Sequence, residues 1–241
     1  MTVLEYDTFT AGTVDPDKWQ VLQLSTPDGG MWAYGDPEAR VEARNGTLEI
    51  TVDPFRLKHD SVHMLDDPKH LIVTPQPLPL AEGAPTTVSV EMACENYNGN
   101  PDDLLDGWIG LVVADFSTGM VFDWMLTETR VGVLYERLPI PGVTPESGSF
   151  SYIVQSPFVS LNSPGEFRRC EVVLDRSART CEYRVDGKRF FRAEGIPVDM
   201  ASVTLGLIVC TLLPPHPEKG SMSTHGQGAK GYWRRLNVTS G

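Results

Sequence analysis

Three of the five histidines fall in one polar segment, Lys58-His-Asp-Ser-Val-His-Met-Leu-Asp-Asp-Pro-Lys-His70. Imidazole is the side chain best matched to proton transfer at neutral pH, so we predict an acid–base role for His63 or His70. If residues 58–64 form one helical turn, His59 and His63 share a face, and Asp66 or His70 could complete a metal site. A solvated polar loop is the alternative, and we predict no bound metal.

Asp123 is a second candidate for acid–base chemistry, because it is the one charged residue in the apolar run Val121-Phe-Asp-Trp-Met-Leu126. In an extended strand, Val121, Asp123 and Met125 point to the same face. A carboxyl group buried among apolar side chains has a raised pKa, which is typical of a general acid or base. A hydrogen-bonded structural carboxylate is the alternative interpretation.

Aromatic side chains on neighbouring predicted strands indicate a largely apolar binding surface. Trp32 and Tyr34 alternate on one face of a short strand, and the other candidates occupy the predicted central strands. The predicted substrate-binding residues are Trp32, Tyr34, Trp108, Trp124, Met125, Tyr135 and Glu95. For each aromatic residue, burial in the core is the alternative, and for Glu95 it is a solvated strand face shared with Glu91.

The elements that must position these residues are strands, because runs rich in β-branched and aromatic residues recur between clusters of Gly, Pro, Asn and Asp. Helical periodicity is almost absent, so the sequence predicts an all-β fold. Tight turns are predicted at Asn45-Gly46, Ser117-Thr-Gly119 and Asp186-Gly187. We predict strands at about 3–8, 31–35, 38–44, 47–53, 70–74, 86–97, 107–116, 119–127, 130–137, 150–155, 167–175, 180–186, 188–193, 203–212 and 230–239.

The four cysteines are predicted to be buried free thiols rather than disulfides. A hairpin over residues 170–186 pairs Asp175 with Thr180 and Leu174 with Cys181. Cys170 and Cys181 then share a face but stand roughly 13 Å apart along the strands. That separation is too large for a disulfide.

Motifs at both ends of the chain resemble known sandwich proteins. Tyr6-Asp-Thr-Phe9, Val14-Asp-Pro-Asp-Lys-Trp19 and Val41-Glu-Ala-Arg-Asn-Gly-Thr-Leu-Glu-Ile50 resemble the first strands of laminarinase-type members of the concanavalin A-like lectin/glucanase superfamily. The segments 169–175, 182–188 and 231–238 are similar to the hairpin and closing strand of laminin-G-like sandwiches. The resemblance implies a two-sheet antiparallel β-sandwich, a jelly roll with paired terminal strands and a concave sheet that holds the ligand.

Hydrolases of that superfamily carry Glu-x-Asp-x-(x)-Glu on one strand of the concave sheet, and this sequence has no such array. Glu91 and Glu95 share a strand face but stand roughly 13 Å apart, too far for inverting or retaining hydrolysis. Asp123 and Glu128 point to opposite faces of an unbroken strand. Ordinary glycoside hydrolysis is therefore disfavoured.

Length and charge restrict the remaining possibilities. The 241 residues fit a single β-sandwich domain over 1–241. The formal net charge of −12 opposes binding to nucleic acid or an anionic membrane. Because the first residues lack the pattern of a signal peptide and no apolar run is long enough to span a bilayer, we expect a cytoplasmic protein.

Together these features predict an intracellular small-molecule enzyme without a cofactor. A secondary-metabolite cyclase or isomerase fits best, folding a largely apolar substrate against Trp and Met walls so that catalysis comes mainly from holding its reactive shape. Two alternatives remain open: a non-catalytic, lectin-like carbohydrate-binding module, and a glycan hydrolase or lyase with displaced catalytic residues. The sequence leaves the oligomeric state open.

Overall fold

The computed structural model describes residues 2–25, 30–56, 69–155, 162–212, 218 and 224–241. These residues form strands β1 to β18 and one short 3-10 turn, Glu146–Gly148. Among them, no helix is long and apolar enough to cross a membrane. The strands are β1 Thr2–Asp7, β2 Gln20–Val21, β3 Gln23–Ser25, β4 Met31–Ala33, β5 Arg40–Arg44, β6 Thr47–Val52, β7 Lys69–Val73, β8 Leu78–Pro79, β9 Thr86–Tyr97, β10 Trp108–Asp115, β11 Met120–Leu126, β12 Val131–Arg137, β13 Phe150–Gln155, β14 Arg168–Asp175, β15 Thr180–Val185, β16 Lys188–Glu194, β17 Ser202–Cys210 and β18 Gly228–Ser240.

Two antiparallel sheets of eight strands each form a sandwich. Sheet 1 has the order β16-β15-β14-β9-β18-β6-β5, and β1 also pairs with β18. Sheet 2 has the order β13-β12-β11-β10-β17-β7-β2, and β8 also pairs with β17. The terminal strands pair with Thr2 opposite Ser240. The predicted two-sheet sandwich with paired terminal strands is therefore confirmed.

The main core lies between the two sheets, where each strand contributes every second side chain. In β6, for example, Leu48, Ile50 and Val52 are fully buried and alternate with half-exposed residues. The central strands of sheet 2, β10 and β11, are instead buried at every position. A second apolar cluster, which includes Trp108 and Met125, covers their other face. Sheet 2 thus has an apolar, sheltered outer face.

The predicted strands match the observed ones to within two residues, and the strands at 86–97 and 150–155 match in full. The hairpin register is also confirmed, because Asp175 pairs with Thr180 and Leu174 with Cys181. All four cysteines are buried and free. The sequence did not predict β2, β3 and β8, because strands of two or three residues are too short to show alternation.

Candidate active site

Three charged residues are buried on the outer face of sheet 2. Lys69 of β7, Asp123 of β11 and Glu136 of β12 expose only 8%, 4% and 5% of their surface. They line two adjoining hollows of about 430 and 470 Å³ of empty space, open mouths included, and Ile208 of β17 lines both as well. We call these hollow A and hollow B, and the two together the sheet 2 cleft.

The strand register places the two carboxyl groups side by side. Asp123 lies opposite Leu134 of β12, and Glu136 follows two residues later on the same face. Such diagonal neighbours in an antiparallel pair are roughly 7–8 Å apart at the backbone, within reach of long side chains. Lys69 extends from β7, and its ammonium group lies 4.9 Å above the centre of the Tyr34 ring.

The walls of the cleft are mostly apolar. Hollow A is lined by residues that include Leu22, Tyr34, Leu71, Val112, Val121 and Leu138. Hollow B is lined by residues that include Leu105, Trp108, Met125, Leu134, Ile153 and Cys210. Backbone hydrogen bonds fix Tyr34 in this wall, because its N–H donates to the Leu22 carbonyl at 3.0 Å and its carbonyl accepts from Leu71 at 2.9 Å.

This environment favours the protonated form of Asp123. Burial raises the pKa of the Asp123 carboxyl well above its ordinary value of 3.8, the charge of Glu136 raises it further, and the charge of Lys69 opposes the shift. Asp123 Oδ1 is buried and has no hydrogen-bond partner among the described residues, and the same holds for Trp108 Nε1. Burial and the charge of Glu136 therefore favour the carboxylic acid over the carboxylate at this position.

Four of the predicted site residues line the sheet 2 cleft: Tyr34, Trp108, Asp123 and Met125. Trp32 packs against the same apolar cluster. Its ring stacks on Tyr34 with a centroid distance of 6.1 Å and an interplanar angle of 9°. The structure thus places Trp32 and Tyr34 beside the central strands of sheet 2.

Trp124 and Tyr135 lie on the opposite face of sheet 2, toward the main core. Trp124 is fully buried, and its indole N–H donates to the Glu171 carbonyl at 3.0 Å. Tyr135 packs against the main core and stacks on Phe122 at 5.8 Å. Each alternates along its strand with a residue of the cleft, so the structure does not bring these two side chains to Asp123.

His70 is separated from the cleft. His70 alternates with Lys69 and Leu71 along β7, so its side chain points to the face opposite them. Burial lowers the pKa of His70 to about 4, and neither ring nitrogen has a hydrogen-bond partner among the described residues. His63, together with His59 and Asp66, falls outside the described residues.

Glu95 belongs to sheet 1, on the other side of the sandwich from the cleft. Its carboxylate accepts hydrogen bonds from the hydroxyl groups of Tyr97 at 2.9 Å and Tyr232 at 2.6 Å. Its neighbour Glu91 accepts hydrogen bonds from Arg234 and Arg235. Both glutamates therefore form part of a polar network on sheet 1.

Sequence reasoning missed Lys69 and Glu136, the two charged partners of Asp123. Glu136 could have been found by pairing the predicted strands 119–127 and 130–137 as a hairpin, because the register then places it diagonally from Asp123. Lys69 stands one residue before the predicted strand 70–74 and continues its alternation with Leu71. No sequence signal reports that β7 and β12 belong to the same sheet.

The carboxyl arrangement differs from the glucanase array that the resemblance describes. The residues beside Asp123 on the same face of β11 are Val121 and Met125, so this strand presents one carboxyl group to the cleft. The second carboxyl group, Glu136, comes from the adjacent strand. Among the described residues, no group of three or more His, Cys, Asp or Glu side chains could hold a metal ion.

The solved structures with the same fold include endo-1,3-β-glucanases. The catalytic domain of an endo-1,3-β-glucanase (laminarinase) from Thermotoga petrophila RKU-1 aligns with a TM-score of 0.60 at 14% identity, over 100% of this chain and 96% of that chain. An endo-1,3-β-glucanase from Streptomyces sioyaensis aligns with a TM-score of 0.59 at 15% identity, with coverages of 100% and 96%. A mixed-linkage glucan GH16 protein from Bacteroides ovatus, in complex with a product, has a TM-score of 0.60 at 9% identity, with coverages of 99% and 99%.

At these identities the likeness shows the fold alone, and it confirms the predicted concanavalin A-like jelly roll. A search of curated proteins finds no significant match. The sequence profile of one family matches residues 6–241, nearly the whole chain. The chain therefore belongs to DUF6081, a family of unknown function.

Proposed function

We propose that the protein is an acid–base enzyme whose active site is the sheet 2 cleft, with Asp123 as the general acid. One observation carries this proposal: a carboxyl group with an unpartnered oxygen lies between two hollows, beside a second carboxyl group. Carboxyl pairs in sheltered clefts are typical of proton-transfer sites, because the environment gives the two groups different pKa values. One group can then donate a proton while the other accepts one.

The roles of the three charged residues follow from their surroundings. Asp123, whose pKa is raised by burial and by Glu136, supplies the proton to a bound ligand. Glu136, on the adjacent strand, is suited to stabilise the positive charge that develops or to accept a proton. Lys69, whose charge opposes the rise in the pKa of Asp123, lines both hollows and is placed to orient polar groups of the ligand.

Two ligand classes fit this role, and different observations favour them. The apolar walls of both hollows favour a small, largely apolar molecule, and cyclisation or isomerisation is the matching reaction. The glucanase fold of the solved relatives favours a glycan, either hydrolysed by the displaced pair Asp123 and Glu136 or bound without reaction. The likeness to solved glucanases gives more support to the glycan class. The apolar walls of the cleft give more support to the apolar class.

Two substrate sets test the proposal and separate these classes. Wild-type protein is incubated with 1,3-β-gluco-oligosaccharides and, separately, with a panel of apolar polyenes and carbonyl compounds, and products are identified by mass spectrometry. We expect turnover in one set. The variant Ile208→Trp fills the point where the hollows meet, so product formation is expected to fall by about tenfold or more, because ligand affinity is lost.

The variant Leu4→Trp is the matched control, since Leu4 is exposed on β1 of sheet 1. It adds the same ring at a distance from the cleft and is expected to leave turnover unchanged. Both variants must keep the thermal midpoint of the wild type to within a few degrees. Equal turnover in wild type and Ile208→Trp would show that the reaction takes place elsewhere, and binding of oligosaccharides without any product would favour the lectin-like alternative.

A further inference from the structure

The edge of sheet 2 at β13 is uncharged and apolar. Its six residues, Phe150-Ser-Tyr-Ile-Val-Gln155, include no Asp, Glu, Lys or Arg. Among the described residues, β13 pairs only with β12, so one side of the strand has no neighbouring strand. Two side chains near its middle are largely exposed, Tyr152 at 58% and Ile153 at 41%. A strand of this kind is suited to pair with a strand of another chain.

The other described edges of the sandwich are protected against such pairing. Charged residues on an edge strand oppose the approach of a second strand. The edge strands of five or more residues each carry at least two of them: Glu5 and Asp7 in β1, Arg40, Glu42 and Arg44 in β5, and Lys188, Arg189, Arg192 and Glu194 in β16. The edges formed by β2, β3, β4 and β8 are only two or three residues long. Of the described edges, β13 is thus the long one without charge.

The chemistry of β13 fits a second copy of the same chain. Each copy has a formal net charge of −12, so two copies repel one another wherever acidic surfaces meet. Two β13 strands bring no charged side chain of their own to the contact. A strand that pairs with its own copy about a two-fold axis is also self-complementary, as a closed dimer requires. We propose that two copies associate by antiparallel pairing of β13 with β13, so that sheet 2 continues from one copy into the other.

The pairing geometry is restricted to two registers centred on the strand. Residues directly opposite one another on antiparallel strands point to the same face of the sheet. With the two-fold axis at the middle of β13, either Tyr152 or Ile153 must therefore stand opposite its own copy. Both registers bring aromatic and β-branched side chains together, the pairs that stabilise sheets.

Tyr152 is already held in position for this contact. Its ring stacks on Tyr135 with a centroid distance of 6.4 Å and packs against Phe150 at 5.5 Å. A side chain that is ordered before association loses less conformational entropy when it docks. The exposed ring of Tyr152 therefore favours association of the two strands.

The dimer would also border the sheet 2 cleft. Ser151 and Ile153 line hollow B, and both belong to the strand that pairs. Antiparallel pairing places the Ser151 and Ile153 of one copy beside those of the other, so each copy borders hollow B of its partner. The inference does not rest on the proposed function, because it concerns a sheet edge and no reaction.

Light scattering during gel filtration of the full chain tests the association. We expect the wild type at micromolar concentration to have twice the mass of the chain. Ile153→Lys places two ammonium groups near the two-fold axis and should yield a monomer with an unchanged circular dichroism spectrum. Val3→Lys is the matched control, since Val3 is exposed on β1 of sheet 1, and it should remain a dimer. A monomeric wild type, or an Ile153→Lys protein that stays dimeric, would overturn the inference.

Disulfide trapping tests the pairing without disturbing the fold of a charged variant. Directly opposed residues have Cα atoms about 4.5–5.5 Å apart, within reach of a disulfide. The four native cysteines are buried and free, so they give little background reaction. With oxidised glutathione, either Tyr152→Cys or Ile153→Cys should form a linked dimer, whereas Val3→Cys should not. A wild-type dimer that neither variant links would show that another surface forms it, and this would also overturn the inference.

Discussion

Replacing Trp124 with alanine is expected to lower the free energy of unfolding by about 3–5 kcal/mol, the range for deletion of a large buried ring. Trp124 is fully buried in the main core, where its ring packs edge-on against Tyr183 at 5.6 Å and in a tilted arrangement against Phe190 at 5.5 Å. The indole N–H of Trp124 also donates a hydrogen bond to the backbone carbonyl of Glu171. A loss of this size is a large share of the stability of a typical domain. Urea titration followed by circular dichroism measures it.

Trp124→Phe is the matched control for this prediction. It keeps most of the ring volume and removes the hydrogen bond, so we expect a smaller loss of about 1–2 kcal/mol. Because Trp124 faces the core rather than the sheet 2 cleft, ligand affinity in Trp124→Phe should equal that of the wild type. A stable Trp124→Ala protein with lost ligand binding would instead support Trp124 as a substrate-binding residue.

Replacing Asp123 with asparagine is expected to reduce turnover of the substrate found by the screen by about 10²–10⁴-fold, the usual contribution of a general acid. Asparagine has nearly the same shape and still donates a hydrogen bond, but it cannot transfer a proton. Ligand affinity should therefore change little, so the loss appears in kcat rather than in KM. Steady-state kinetics on wild type and variant separate the two effects.

Asp115→Asn provides a control at another buried carboxyl group of the same sheet. Asp115 ends β10 and accepts hydrogen bonds from the N–H of Ser117 at 2.9 Å and from its hydroxyl at 2.6 Å. It does not line either hollow. Asp115→Asn should keep full kcat. Similar losses in the two variants would mean that Asp123 acts through stability and not through chemistry.

The sequence was sufficient to predict the fold because the fold depends on local alternation and turn chemistry. The run 86–97 and the hairpin at 170–185 show apolar alternation and turn residues that specify strands and register. The apolar run around Asp123 likewise predicted a strand at 119–127, and the observed strand β11 is buried at every position.

The site was predicted only in part, because it depends on which face of sheet 2 is the outer one and on strands far apart in sequence. Asp123 and Trp124 are adjacent, and alternation alone does not reveal which of them faces the cleft. Lys69 reaches the cleft only because β17 lies between β7 and β10. That order is a property of the sheet topology, which the local pattern does not encode.

The protonation state of Asp123 is the most direct test of the central claim that the sheet 2 cleft is an acid–base site. Carbon-13 label in the aspartate carboxyl groups, with Asp123→Asn to assign the resonance, allows titration by NMR. An exposed aspartate is ionised at about pH 5. Because burial and the charge of Glu136 raise the pKa of Asp123, we predict that its resonance moves at a higher pH than the resonances of the exposed aspartates. A resonance that moves together with those of the exposed aspartates would contradict the account.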